Sequence, residues 1–142
     1  MKISEIEFGS QEYQDSVQLR NSILRIPLGM NLYEEDLSHE VADFHFAAVE
    51  NDEVMGCLIL SLKSETIVKM RQVAVAAEAR NLGVGKALVT HSEHWARMKG
   101  YQTIELHARK EAVSFYVNLN YSTVGDEFVE VGIPHVKMFK SM

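Results

Sequence analysis

The sequence predicts an α/β domain with a mixed β-sheet that is flanked by helices. Apolar residues alternate with polar ones in some segments and recur at helical spacing in others, in the order β-α-β-β-β-α-β-α-β-β. Short turns join the early strands, which indicates antiparallel hairpins, whereas helices connect the later strands. The 142 residues are expected to form one domain, 1–142, with a sizeable buried core.

The first half of the chain is predicted to contain one helix and four strands. The helix spans 11–25, because apolar residues recur near helical spacing and Pro27 ends it. Residues 26–40 are expected to form a loop with one short helical turn. A turn at 51–53 joins the second strand to the third. The four strands are predicted over residues 2–8, 44–50, 54–62 and 66–75.

The second half is predicted to contain two helices and three strands. The long helix begins after Gly83, and Gly100 follows its last turn. A short helix is expected over 111–120. The three strands are predicted over residues 102–108, 121–131 and 135–140. The long helix is predicted to bury one face, formed by Val84, Ala87, Leu88, His91, Trp95 and Met98.

The composition argues against several classes of protein. A net charge of −6 disfavours nucleic-acid binding, which requires a basic surface, and is mildly compatible with a cationic or amine substrate. No apolar run is long enough to span a membrane, and the N-terminal residues lack the apolar stretch of a signal peptide, so a cytoplasmic protein is expected. The single cysteine, Cys57, lies in an apolar run and is interpreted as a buried core residue, which fits a reducing compartment.

The segment RNLGVGKAL, residues 80–88, has the composition of an anion-binding loop. It follows an apolar strand that ends near Val75 and leads into the long helix. The first turn of a helix has unpaired N–H groups and the positive end of the helix dipole. Gly83 and Gly85 let a ligand approach the backbone, and Arg80 adds a forked donor for phosphate oxygens. The pattern predicts a phosphate or pyrophosphate site, against the simpler interpretation of a plain strand-to-helix turn.

Three phosphate-binding patterns are candidates for this loop. A Walker A loop shares Gly85 and Lys86, but Arg80 replaces its first glycine and Ala87 replaces its Mg²⁺-binding hydroxyl. A dinucleotide-binding fingerprint shares two glycines but has Leu88 in its third glycine position. The third pattern, Q/R-x-x-G-x-G/A, is met at every fixed position by RNLGVG.

With this loop, the sequence resembles the GNAT N-acetyltransferase superfamily, whose members bind the pyrophosphate of acetyl-CoA at this position. The resemblance covers nearly the whole chain and includes the segment ARKEAVSFYVNLNY at 108–121. The ending GDEFVEVGIPHVKMFK, residues 125–140, is similar to a subgroup of uncharacterised bacterial GNAT proteins. The resemblance implies a mostly antiparallel, twisted sheet, with acetyl-CoA bound at the strand, loop and helix that follow the central strand.

The resemblance also implies which residues hold the co-substrate. Backbone N–H groups of the loop and the side chain of Arg80 would bind the pyrophosphate. In the family the strand before the loop is bulged, here at 72–75, and the Val73 N–H would polarise the thioester carbonyl. The residues assigned to acetyl-CoA on this basis are Val73, Val75, Arg80, Asn81, Leu82, Gly83, Val84, Gly85 and Lys86.

The implied reaction is direct attack of an amine on the thioester, which needs one proton acceptor and one proton donor. Tyr116 matches the family tyrosine that often hydrogen-bonds the CoA sulfur and is the candidate acid, although an aromatic residue on a buried helix face gives the same pattern. His135 is the first candidate for the base, because imidazole titrates near neutral pH. The other candidates are Glu105, His107, Glu127 and Glu130, and a water chain without a dedicated base is an open alternative.

Two residues depart from the family pattern. Lys69 stands where some members carry a glutamate, and Arg109 stands where the family often has an asparagine.

His91 and His94 are interpreted as a helix-surface pair, because further ligands at metal-binding spacing are missing, and no metal is expected. The acidic run YEEDLSHE, 33–40, is either the lining of an acceptor site or, more simply, a solvated surface.

Three functions fit these observations. The first is acetyl-CoA-dependent N-acetyl transfer to a primary amine on a small molecule or a peptide. The second is a non-catalytic acyl-CoA-binding or sensor protein of the same fold, in which Tyr116→Phe would change nothing. The third is a nucleotide-phosphate loop protein, which the missing hydroxyl at Ala87 disfavours. No membrane or nucleic-acid partner is expected, and a homodimer is the default assembly.

Overall fold

The computed structural model describes all residues, 1–142, as one sheet with three α-helices. The elements are β1 (Lys2–Ile6), α1 (Gln11–Arg20), β2 (Phe44–Glu50), β3 (Glu53–Leu62), β4 (Ile67–Val75), α2 (Val84–Met98), β5 (Thr103–Arg109), α3 (Val113–Val117), β6 (Ser122–Glu130) and β7 (Ile133–Ser141). The seven strands are ordered β1-β2-β3-β4-β5-β7-β6, and every neighbouring pair except β4 and β5 is antiparallel. The predicted order of elements and the mixed sheet are confirmed.

The first helix is shorter than predicted. It begins at the N-cap Ser10, whose hydroxyl accepts a hydrogen bond from the Tyr13 N–H, and it ends at Arg20. The chain continues as a π-helical turn, Asn21–Arg25, and then as a 3-10 turn that contains Pro27. Because proline has no N–H to donate, a regular α-helix cannot continue through this position.

The connection from this helix to β2 is more structured than predicted. The Asn21 side chain accepts a hydrogen bond from the Leu32 N–H at 2.7 Å, and Leu32 is fully buried. This long-range bond organises the connection, which the local sequence does not specify. It contains three 3-10 turns rather than one, at Ile26–Leu28, Leu32–Glu34 and Ser38–Ala42.

The last helix, like the first, is shorter than predicted, because a 3-10 turn, Lys110–Ala112, precedes α3.

The buried face of α2 is rotated by about a quarter turn from the predicted face. Met98 is 74% exposed, whereas Glu93 is buried. The Glu93 carboxylate accepts hydrogen bonds from the Tyr121 hydroxyl at 2.8 Å and from Lys140 Nζ at 3.1 Å. Because these partners compensate the charge, a glutamate occupies a position that apolar periodicity assigns to solvent. The residues of α2 that the fold buries are Val84, Leu88, Val89, Ser92, Glu93 and Ala96.

The two long helices pack on opposite faces of the sheet. Gly56 of β3 permits the contact with α2, because a Cβ placed there would lie 2.8 Å from Leu88 Cδ1. On the other face α1 covers Cys57, whose thiol lies 3.9 Å from the Ser16 carbonyl oxygen. Cys57 is buried as predicted, and burial raises the pKa of its thiol to about 12. No helix combines the length and the apolar composition needed to cross a bilayer.

The parallel pairing of β4 with β5 is short. Residues 67–70 of β4 are paired with residues 103–106 of β5, and beyond them the two strands have no register partners in each other. On its far side β5 is paired with β7 through to Arg109 and His135. The sheet is therefore split at its middle, next to the carboxyl ends of both parallel strands.

Candidate active site

The split between the two parallel strands opens into a cleft of about 330 Å³, called here the β4–β5 cleft. The π-helical turn after α1 lines one side through Leu24, and α3 lines the other side through Tyr116. The cleft therefore passes between the two faces of the sheet. Val73, Tyr116 and His135, to which the sequence analysis assigns the chemistry, all line it.

The bulge predicted in β4 lies at Gln72 and Val73. In the register of β3 and β4 these two residues oppose Leu58 alone. Gln72 has a φ of 56°, in the left-handed region, and its side-chain oxygen accepts a hydrogen bond from Arg20 Nε at 3.4 Å. A bulge of this kind changes the direction of the backbone groups beside a site. The strand thus leaves regular pairing at the point where Val73 borders the cleft.

Tyr116 brings a protonated hydroxyl to the cleft. Its ring is 7% exposed and packs edge-on against Phe115 and Tyr121, with ring centroids 5.0 Å and 5.7 Å away. Burial raises the pKa of Tyr116 to about 12, so the hydroxyl keeps its proton at neutral pH. The hydroxyl makes no hydrogen bond with another group of the protein. A protonated hydroxyl without a partner in the protein is suited to donate its proton to an atom of a bound ligand.

His135 brings a proton acceptor to the same cleft. Its side chain is nearly buried, and Nδ1 lies 2.9 Å from the Ile133 carbonyl oxygen. A carbonyl only accepts, so Nδ1 carries the proton of the neutral ring and Nε2 is free to accept one. Nε2 lies 3.8 Å from Glu130 Oε2, and the ring of Phe128 stacks on the imidazole with a centroid distance of 6.0 Å. The Glu130 carboxylate would stabilise the imidazolium that forms on protonation.

Of the four remaining base candidates, two line the cleft and two lie outside it. His107 and Glu130 line the cleft, and His107 Nδ1 lies 3.4 Å from Glu130 Oε1. Glu105 forms an ion pair with Lys63, and the hydrogen bond from Lys63 holds the pKa of Glu105 below its usual range. Glu127 forms an ion pair with a surface lysine and does not border the cleft. Only His107 and Glu130 accompany His135 there.

The loop before α2 presents a run of unpaired donors. Gly83 is the N-cap of the helix, with a φ of 80°, and Asn81 also has a left-handed φ of 65°. The first backbone hydrogen bond of the helix runs from the Ala87 N–H to the Gly83 carbonyl. The six N–H groups from Asn81 to Lys86 donate to no group of the protein. Successive N–H groups in such a turn, at the positive end of a helix dipole, form an anion-binding concavity.

Close packing joins this loop to the cleft. A Cβ placed on Gly85 would lie 3.3 Å from Phe115 Cζ and 3.7 Å from Val75 Cγ2. Phe115 precedes Tyr116 on α3, and Val75 ends the bulged strand. The absence of a side chain at Gly85 therefore lets the loop, the bulged strand and the tyrosine-bearing helix meet at one place.

The basic lining of the cleft was not predicted from the sequence. Lys69 and Arg71 on β4, Arg109 on β5 and Arg25 of the π-helical turn all border it. A usable signal was present, because two cations at alternate positions of an otherwise apolar strand lie on the same face of a sheet. In the sequence, Lys69 and Arg109 stand out only as departures from a family pattern.

The acidic run 33–40 does not border the cleft. Glu35 pairs with Arg25, with Oε2 2.8 Å from Nε, and its neighbours in the run are mostly exposed. Glu40 differs, because it is 1% exposed and accepts hydrogen bonds from Arg20. The run is therefore largely a solvated surface, as the simpler interpretation predicts, but its last residue, Glu40, is buried.

The two helix histidines have different surroundings. His94 is exposed, whereas His91 is half-buried and packs edge-on against Phe46, with ring centroids 5.9 Å apart. The prediction of a helix-surface pair is therefore confirmed for His94 but not for His91, which is partly packed into the interior. No group of three or more His, Cys, Asp or Glu side chains has an arrangement that could hold a metal ion.

The fold and the site define an α/β protein with an anion-binding loop beside a split sheet. The family model of the acetyltransferase (GNAT) domain matches residues 28–142, so the chain belongs to this family. The predicted resemblance to the GNAT superfamily is thereby confirmed.

Relatives and solved structures agree with this assignment. The uncharacterized protein YyaT of Bacillus subtilis is 35% identical over 52% of this chain and 50% of its own length. The chain thus spans about half the length of the first relatives that it matches. Escherichia coli ElaA has the same fold, with a TM-score of 0.85 at 18% identity over 98% of both chains. A GNAT family acetyltransferase from Elizabethkingia anophelis, crystallised with acetyl-CoA bound, has a TM-score of 0.73 at 15% identity, over 99% of this chain and 97% of that one.

Proposed function

We propose that the chain is an acetyl-CoA-dependent N-acetyltransferase that moves an acetyl group to a primary amine by direct attack. The observation that carries this proposal is the run of six unpaired N–H groups at the start of α2, packed through Gly85 against the bulged strand and α3. A pyrophosphate bound there leaves the acyl end of the same molecule close to the β4–β5 cleft. Membership in the GNAT family supports this assignment.

In this proposal the loop holds acetyl-CoA by its phosphates. The N–H groups from Asn81 to Lys86 donate to the pyrophosphate oxygens, and the exposed side chain of Arg80 adds charge-assisted hydrogen bonds. The backbone around Val73 and Val75 lies along the acyl arm, and the Val73 N–H polarises the thioester carbonyl. The loop and the first turn of α2 offer no Mg²⁺-binding hydroxyl at Ala87, which favours acetyl-CoA over a nucleoside triphosphate.

Two side chains carry the protons. The attacking nitrogen forms a bond to the acetyl carbon while the C–S bond of the thioester breaks. His135 Nε2 accepts the proton that the nitrogen loses, and Glu130 stabilises the resulting imidazolium. The Tyr116 hydroxyl gives its proton to the departing thiolate and regains one through water. Placing both reactants in one cleft supplies much of the lowering of the barrier.

The test measures thiol release from acetyl-CoA with a panel of primary amines that spans small molecules and peptides. The proposal predicts stoichiometric formation of free CoA and N-acetylated amine. A sensor of the same fold would bind acetyl-CoA and release no thiol with any amine. That combination of results would replace the enzyme by the sensor.

A further inference from the structure

The charge of the β4–β5 cleft is opposite to the charge of the chain. The whole protein has a net charge of −6, yet the cleft is bordered by four cationic side chains and one carboxylate, Glu130. Such a local excess of cations attracts ligands of negative charge. The four cations are Arg25, Lys69, Arg71 and Arg109.

Two of these cations form no ion pair within the protein, and a third forms only a long one. Lys69 forms no ion pair within the protein, and Arg109 donates only to the Leu24 carbonyl oxygen, at 3.4 Å. Arg71 NH1 lies 3.9 Å from Asp43 Oδ2, which is too far for a hydrogen bond. The fourth cation, Arg25, is paired with a glutamate and is already compensated.

Lys69 lies in partly buried surroundings of mixed charge. Burial lowers the pKa of Lys69, the charge of Glu130 opposes this shift, and the charge of Arg71 adds to it. Asp43 Oδ2 is buried and has no hydrogen-bond partner, although Arg71 is the closest cation. Mutual repulsion of these incompletely compensated cations disfavours the empty cleft, and a bound anion relieves it.

The three cations surround the place where the acceptor must react. Lys69 and Arg71 lie on one face of β4, two residues apart and next to the bulge that contains Val73. Arg109 lies across the split on β5 and is the register partner of His135. An amine between Val73 and His135 therefore has cations on both sides of it.

We propose that the acceptor carries an anionic group, a carboxylate or a phosphate, near its reactive amine, and that the basic cluster Lys69, Arg71 and Arg109 binds this group. This inference rests on the proposed function, because it names the substrate class of the same cleft. It reverses the expectation of a cationic acceptor that the overall charge supports. It also gives Lys69 and Arg109 a role as binding residues.

The first test compares acceptors in matched pairs that differ in the anion alone. The pairs are phenylalanine with phenylalanine amide, and phosphoethanolamine with ethanolamine. We expect kcat/KM for thiol release to be at least about tenfold higher for the anionic member of one pair, mostly through KM, because a charge-assisted hydrogen bond is lost in its twin. The pair that shows the preference distinguishes a carboxylate acceptor from a phosphate acceptor. Equal or lower kcat/KM for both anionic members would overturn the inference and leave the acetyltransferase proposal intact.

Variants connect the preference to the basic cluster. Lys69→Met and Arg109→Gln should each reduce the preference for the anionic twin about tenfold, with little change for the neutral twin. Arg97→Gln is the matched control, because Arg97 is exposed in the last turn of α2 and lies outside the cleft. Losses that are equal for the two twins would contradict anion binding by the cluster.

A binding measurement decides the matter without turnover. Protein saturated with CoA, so that the loop is occupied, is titrated calorimetrically with inorganic phosphate and with succinate. The inference predicts binding of at least one anion to the wild type and a loss of at least tenfold in affinity in Arg109→Gln. Binding of CoA without binding of either anion overturns the inference alone, whereas failure to bind CoA overturns the proposed function as well.

Discussion

Arg20 and Glu40 form a bidentate ion pair in the interior of the protein. Arg20 NH1 donates to Glu40 Oε1 at 2.9 Å and NH2 donates to Oε2 at 2.7 Å, while the two side chains are 2% and 1% exposed. Tyr13 donates its hydroxyl to the same carboxylate at 2.7 Å, and Arg20 also contacts Gln72 in the bulge of β4. The pair thus connects α1 and the 3-10 turn before β2 to the strand that borders the cleft.

Removal of one partner of this pair should be strongly destabilising. Glu40→Gln leaves the Arg20 charge buried without compensation, and we expect the free energy of unfolding to fall by about 3–5 kcal/mol in denaturant titrations. The double variant Arg20→Met/Glu40→Leu should lose less than Glu40→Gln, because no charge stays buried.

Glu35→Gln is the control for this prediction, because it removes the carboxylate of the more exposed pair with Arg25 and should cost about 1 kcal/mol or less. A loss in Glu40→Gln no greater than in Glu35→Gln would show that the buried pair does not stabilise the fold.

The same pair predicts how stability depends on pH. Burial alone would raise the pKa of Glu40, but the hydrogen bonds and charge of Arg20 outweigh it and hold the pKa below its usual range. The stabilisation is therefore fully present above the unfolded-state pKa of about 4.3 and is lost as the pH falls through the lower folded-state value. The difference in unfolding free energy between wild type and Glu40→Gln should be constant near neutral pH and shrink below about pH 4. A difference that grows in acid would contradict this sign.

Tyr116 provides a test of acid catalysis. Tyr116→Phe should lower kcat by about 10²–10⁴-fold while acetyl-CoA binding changes little, because the phenyl ring keeps the packing against Phe115 and Tyr121. Tyr33→Phe is the control, since Tyr33 is 61% exposed and lies outside the cleft. An unchanged kcat in Tyr116→Phe would exclude the hydroxyl as the proton donor.

His135 provides the corresponding test of base catalysis. His135→Gln should lower kcat/KM by about 10²-fold or more near neutral pH. His107→Gln and the exposed His94→Gln should keep a kcat/KM close to that of the wild type. If kcat/KM is unchanged in His135→Gln and falls in His107→Gln, the base is His107; if it is unchanged in both, a water chain carries the proton.

Local patterns predicted the order of elements and the loop before α2, because periodicity and glycine spacing are properties of neighbouring residues. Contacts between distant residues were not predictable in this way. The charge of the buried Glu93 is compensated by Lys140, which is 47 residues away in the chain, and Arg20 is 20 residues from Glu40. A charged residue with such a partner can be buried, and it then occupies a position that the apolar pattern of its helix assigns to solvent. The basic cluster depends in the same way on β4 and β5 lying side by side.

Binding of acetyl-CoA by the loop RNLGVG is the basis of the proposed function, and calorimetric titration measures it without turnover. Wild type, Arg80→Gln and the control Arg97→Gln are each titrated with acetyl-CoA, CoA and ATP-Mg. Wild type and the control should bind acetyl-CoA and CoA in preference to ATP-Mg. In Arg80→Gln the affinity for acetyl-CoA and CoA should be about tenfold weaker, because a charge-assisted hydrogen bond to phosphate is lost. Preferential binding of ATP-Mg, or no binding of acetyl-CoA by the wild type, would contradict the account.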